Sequence, residues 1–429
     1  MPVLSKRIPQ DIDNVTSAHS TDILLLYTGL IWTFVVTLFR GFRTPNDWAE
    51  AHWLVSYQFG LVKRGLPGTL IKPILLLNNS QSFAEHTVLT ISTLLLVTFC
   101  IVLFGICFSI IREQRYSIES VLVSFIFLSS PFVVISAHLN GYYDNILFLI
   151  SIWSIVAIRR NRLWLASVLL SLGILVHESI ILAGIPSAIL ALIICSKSKT
   201  TQDKKPLWRH TLQFMLPVCV FIVLSIYASF FTDTNALCAS LYNYISQYSF
   251  IEYQRNIMVP ACITSSFTTY LQSEWPCFLP SLSNPVFIMA NIPGLAVIIL
   301  YTIRIMRKMK LSFIPYALIV PLLPLLLHAI AWDTSRIWTY PLIAALFTLW
   351  IVHSAPGAAR SRLPVNILFV VFGIAVAIWQ LNTRVQLMDD MYDPFTSFER
   401  TLLYAPAAAI IACSMFRIHR SPDRLKYQG

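Results

Sequence analysis

Residues 159–178 read RRNRLWLASVLLSLGILVHE: three arginines, an uncharged run of fourteen residues, then a histidine beside a glutamate. Arginines at the edge of an apolar run mark the end of a membrane helix, where guanidinium groups stay with the lipid headgroups. The run 163–176 is short, however. At about 1.5 Å per residue it reaches only about 21 Å, against about 30 Å of hydrocarbon. The helix must end below the far surface, and His177 and Glu178 end there with it. Asp144, 15 residues before Arg159, falls at about the same depth. Ionisable groups at such depth are costly and line a wet cavity or pair with one another.

The whole chain repeats this pattern. Of its 429 residues 56% are apolar and 12% charged, with a mean hydropathy of +0.69, whereas soluble domains carry about 25% charged residues. An ordinary soluble enzyme is excluded. Apolar runs predict about twelve spans, at 23–39, 88–111, 121–135, 142–158, 163–176, 179–195, 212–231, 286–303, 311–329, 337–352, 365–381 and 402–415. The expected fold is all-α: one polytopic integral membrane domain over 1–429, with both termini on one side. The first span, lacking a clear cleavage site, reads as a retained signal anchor.

A net charge of +11 would suggest nucleic acid in a soluble protein, but no basic water-exposed module accompanies it. Alternating the loops explains the charge better. With a cytoplasmic N-terminus, 22 of the 31 basic residues fall on the inner side and 13 of the 20 acids on the outer. The outward face is where carboxylates meet, and the few cations there need a reason. Two outer loops are long, 40–87 and 232–285. Within the first, the apolar run 66–77 is too short to span and reads as an interfacial or re-entrant helix. Cys238, Cys262 and Cys277 share the second, enough for one disulfide in an oxidising compartment. No internal repeat, CxxC or nucleotide-binding glycine motif is present, and no metal-ligand spacing is seen.

Residues 40–70 read RGFRTPNDWAEAHWLVSYQFGLVKRGLPGTL. Asp47 can cap a helix beginning at Trp48, which places Asp47 and Glu50 on one turn with His52 close by. Lys63 and Arg64 precede Gly65 at the start of the short helix, and paired cations at a helix N-terminus suit a phosphate. Residues 328–340 read HAIAWDTSRIWTY, where Asp333 either pairs with Arg336 along one turn or orients it toward an anionic ligand. The run MDDMYD at 388–393, with Asp389, Asp390 and Asp393, reads as a solvated acidic surface.

An acidic first outer loop with a short helix, a second acid within SAHLNGYYDNILFLISIWSI at 136–155, and short helices turning at HES resemble membrane glycosyltransferases of the GT-C superfamily. DWAEAHWLVSYQFGLVKRGLPG and ILVHES also resemble segments of bacterial polytopic proteins of surface-polysaccharide synthesis. The resemblance implies a polyprenyl-phosphate-linked sugar as donor, a glycan, lipid or protein acceptor, and an active site on the extracytoplasmic face of a bacterial inner membrane. It makes Asp47 the general base, with Glu50 as competitor, and Asp144 the second-loop acid that in relatives helps hold a metal, Mg or Mn, or the acceptor. Lys63, Arg64 and Arg336 become contacts to the donor phosphate, with His52, His177, Glu178 and Asp333 around the substrate. The separation of Asp47 from Glu50 departs from an adjacent acidic pair, and no large C-terminal soluble domain follows. An O-antigen-type polymerase or ligase shares the chemistry. A secondary transporter or flippase working through Asp144, His177 and Glu178 is the alternative class.

Overall fold

A computed structural model describes residues 10–78, 80–197, 214–311, 314–355, 364–388 and 391–420. Among the described residues the regular structure is helical, six helices being long and apolar enough to cross a membrane. The long helices are α1 (Gln10–Gly41), α4 (Gln81–Glu113), α16 (Pro285–Lys308), α18 (Thr334–His353) and α20 (Ser397–Arg420). The sixth span is broken by Ser130-Pro131 into α5 (Ile118–Leu128) and α6 (Pro131–His138), because proline starts a helix well and continues one badly. Between α1 and α4 lie α2 (Asp47–Leu54) and α3 (Gly65–Leu75).

The other helices of the bundle are shorter among the described residues. They are α7 (Asp144–Arg159), α8 (Leu163–Val176), α9 (Ile180–Ala183) with α10 (Ile185–Lys197), and α11 (Met215–Phe230). After α11 come α12 (Thr234–Ile245), α13 (Tyr253–Thr264), α14 (Phe267–Glu274) and α15 (Phe278–Leu282), which fold over one end of the bundle. Another broken run, α17 (Ile314–Leu322), passes into a 3-10 segment, Leu323–Ala329, after Pro321. The last short helix is α19 (Ile367–Asn382).

α18 is the axis of the fold. All its residues from Ser335 to His353 are buried, against α16, α17, α10 and α6. A helix apolar on every side belongs in the middle of a bundle. By contrast α1, α4 and α20 turn broad faces outward through Leu24, Phe39, Leu94, Ile101 and Leu402, as lipid-facing helices do.

Ion pairs between separate elements join loops predicted on the same side: Arg64–Glu178, Arg336–Asp144 and Arg40–Asp393 at one end, Arg304–Glu119 and Arg417–Asp22 at the other.

Asp393 is not a solvated surface residue. It is fully buried between Arg40, at 2.8 Å, and Arg400, at 3.0 Å. The arginines also donate to the carbonyls of Leu381, Asn382, Thr383 and Phe395, tying α1, α20 and the connection between α19 and α20 into one node. Asp389 and Asp390 lie outside the described residues. Removing one member of a buried ionic cluster strands the others, so Asp393→Ala should cost about 3–5 kcal/mol. Thermal unfolding in detergent checks this; an unchanged midpoint would mean that the node contributes no stability.

Candidate functional site

Local folding brings three separate stretches to one place. The side chain of Asn46, not Asp47, caps α2 by accepting from the Ala49 N–H at 3.1 Å. Asp47 is thus the first residue of α2, and its carboxylate accepts from the Glu252 N–H at 2.8 Å. α2 is fixed to the turn before α7 by Trp53 Nε1–H donating to Gly141 O at 2.7 Å and Tyr143 O–H donating to His52 O at 2.8 Å. Gly141, at φ 94°, makes the turn that delivers Asp144.

Beyond α2 the chain reverses at Arg64, in the left-handed region at φ 60°, and α3 starts at the next residue. A Cβ at Gly68 would lie 1.9 Å from Val55 O, so glycine lets α3 close onto the end of α2. Lys63 and Arg64 are thereby held beside the end of α8. Arg64 meets Glu178 fork to fork, Nη2 to Oε1 at 2.6 Å and Nε to Oε2 at 3.3 Å. The third stretch is the start of α18. Arg336 lies 3.0 Å from Asp333 and 3.8 Å from Asp144, and Asp144 also accepts from the Tyr340 hydroxyl.

Between these groups is a cavity of about 130 Å³. Lys63, Arg64, His177, Glu178, Asp333 and Arg336 form its polar wall. The rest is largely apolar, from Ile174, from Phe221, Leu224 and Ala228 of α11, and from Leu327, Ile330 and Ala331 before α18. A smaller space of about 20 Å³ adjoins it, lined by His52, Arg64, Asp144, His177 and Arg336. Residues far apart in sequence therefore meet as one basic and acidic cluster with an apolar annex.

The sequence matches the family described as "Uncharacterised membrane protein Rv1490" over residues 23–277, more than half of its length. The chain belongs to the Rv1490 family. No curated protein and no solved structure matches it. The part shared with the Rv1490 family contains Lys63, Arg64, Asp144, His177 and Glu178; Asp333, Arg336 and Tyr340 lie beyond it.

Protonation follows from the partners. His52 Nδ1 lies 2.7 Å from Trp48 O and so carries the proton, leaving Nε2 to accept from Arg64 Nη1 at 3.4 Å. His177 Nδ1 accepts from the Ser179 N–H at 3.1 Å, which puts its proton on Nε2. Burial, then the Arg64 charge, pushes the His52 pKa down to about 3, and the same two causes hold His177 well below its usual value. Both rings are neutral. Burial opposes the charge on Glu178, but Arg64, His177 and Lys63 together outweigh it and hold the carboxyl well below the usual range. Lys63 lacks so close an acid: it donates to the carbonyls of Ser265 and Cys262 and sits 5.0 Å from the Tyr270 ring centre. Burial lowers its pKa.

Several sequence expectations change here. Asp47 and Glu50 line neither space. The eight cysteines are free, and Cys262 accepts a hydrogen bond from Tyr270 instead of forming a disulfide. Among the described residues no group of three or more His, Cys, Asp or Glu side chains is arranged to hold a metal, and the Asp144 carboxylate is engaged by Tyr340 and Arg336. The donors do not fit Mg or Mn. Tyr340 was readable, since it lies one turn from Arg336 on the same helix face. Ser265 and Tyr270 carry no motif and are placed only by tertiary folding.

Glu50 generates a pH prediction. It is 8% exposed, and burial, then Asp47 and Glu85, push its pKa from 4.5 up to about 7. The folded state therefore binds this proton more tightly than the unfolded state, so the stability it contributes is lost as pH rises from about 4.5 through 7. Glu50→Gln should flatten that part of the stability profile and raise the unfolding midpoint above pH 7 relative to the parent. Superimposable profiles would show that Glu50 titrates normally.

Proposed function

We propose that the chain is a membrane glycosyltransferase that moves a sugar from a polyprenyl-phosphate-linked donor to a hydroxyl of a glycan, lipid or protein acceptor. The observation that carries this reading is the composition of the cavity. One wall offers Lys63, Arg64 and Arg336 to an anion beside Glu178 and Asp333, and much of the rest is apolar, from Ile174, Phe221, Leu224, Leu327 and Ile330, with Ser265, Ser266 and Tyr270 of the covering helices completing it. An amphiphile with a phosphorylated head matches both walls. The excess of basic residues on the opposite loops supports an extracytoplasmic site in a bacterial inner membrane, with cytoplasmic termini.

In this chemistry the acceptor oxygen attacks the anomeric carbon, the bond from that carbon to the phosphate oxygen breaks, and a base takes the hydroxyl proton. Cations stabilise the departing phosphate as its charge grows. Lys63, bound to neutral carbonyls, and Arg64, at the N-terminal end of α3, serve that role with Arg336, and His177 Nε2–H adds a neutral donor. The base is reassigned from Asp47. Glu178 has both oxygens on Arg64, and Asp144 is engaged by Tyr340 and Arg336. Asp333 lines the cavity with Oδ2 on Arg336 and Oδ1 without a partner.

Asp333→Asn should slow sugar transfer from a polyprenyl-phosphate donor by roughly a hundred- to ten-thousandfold while membrane insertion is kept. Asp47→Asn should leave the rate near that of the parent. Product formation in reconstituted vesicles, followed by mass spectrometry, decides between the two. A near-normal rate in Asp333→Asn would move the base to Asp144. Movement of lipid or ion across the vesicle without any glycosidic product would favour the transporter class instead.

A further inference from the structure

The end of the bundle away from the cavity carries a second space. There α4 and α7 part to leave an open crevice of about 340 Å³. Val102, Ile106, Ile152 and Val156 make it apolar, and Glu113 and Arg159 stand at its polar end. Its lining includes Gly105, where an added Cβ would meet nothing within 4 Å, so this part of α4 is left unfilled. Trp153, another lining residue, is 54% exposed, and Ile101 on α4 is 67% exposed, so the crevice opens along a face that meets lipid.

An apolar crevice open to a bilayer is filled by acyl chains, since water gains no hydrogen bonds there. Its polar end then meets the headgroup layer. Arg112 stands in the last turn of α4, and Arg159 ends α7 beside a single acid, Glu113, whose Oε2 has no hydrogen-bond partner. Arg160 follows on the same helix end. Arg159 lies over the Trp350 ring at 5.2 Å, which fixes the guanidinium at the mouth of the crevice. Basic pockets between membrane helices on the basic side recognise anionic headgroups.

We propose that this crevice is a binding site for an anionic phospholipid, with one acyl chain along Gly105 and the phosphate on Arg159. The site is separate from the sugar-transfer reading and stands or falls without it. The whole chain, reconstituted in bilayer discs of phosphatidylcholine with a minority of phosphatidylglycerol, should retain phosphatidylglycerol preferentially when bound lipid is weighed by native mass spectrometry. Gly105→Leu fills space that holds nothing, and so should keep the fold while lowering retention about tenfold. Arg159→Gln should abolish the preference for the anionic lipid over the zwitterionic one. Equal retention of the two lipids by the parent, or undiminished retention in Gly105→Leu with an unchanged melting temperature, would overturn the assignment.

Discussion

Three cations and three carboxylates meet at one end of the bundle, and neither set would be tolerated there without the other. Lys63, Arg64 and Arg336 face Glu178, Asp333 and Asp144 around two adjoining spaces. An isolated charge removed from water would be neutralised or would unfold its surroundings. Matching allows the loops to close over the cluster, and the loops in turn exclude water and strengthen each pair. Arg64 illustrates the dependence. Its backbone reverses in the left-handed region, which a half-buried fork-to-fork pair with Glu178 can hold in place.

The connection between α1 and α4, the end of α8 and the start of α18 are fastened by different means. Hydrogen bonds from Trp53 and Tyr143 clamp α2 to the turn at Gly141. α18 is fixed by burial along its length. The Arg40–Asp393–Arg400 node joins the first helix to the last at the same end. A cluster of charges thus rests on rigid elements, as positioning of a reacting group requires.

The helical membrane fold was legible because hydrocarbon thickness acts on every span alike. The run 163–176 is the helix found there, residue for residue, since arginines fix one end and His177 the other. Arithmetic on length alone singles out Asp144, His177 and Glu178, and all three line one or both of the two spaces. What stayed hidden was pairing. Sequence placed Asp393 in a polar loop, but whether a carboxylate faces water or two arginines from helices hundreds of residues apart is a tertiary fact. Asp47 misled for a related reason: a cap position and an acidic loop are local signals, and the Glu252 N–H that occupies the Asp47 carboxylate is not local.

The balance of charge also constrains how a phosphate could enter, on the reading proposed above. The cluster is neutral with both histidines uncharged, so an incoming anion must find a cation whose partner can be exchanged. Arg336 is gripped by two acids, one of them steadied by Tyr340. Arg64 has one acid, Glu178, on a side chain 26% exposed, and Lys63 has carbonyls. The easier exchange is therefore at Lys63 and Arg64, with Glu178 giving way to the phosphate. Arg336 keeps its acids throughout, so Asp333 stays in place to accept a proton when the leaving group departs.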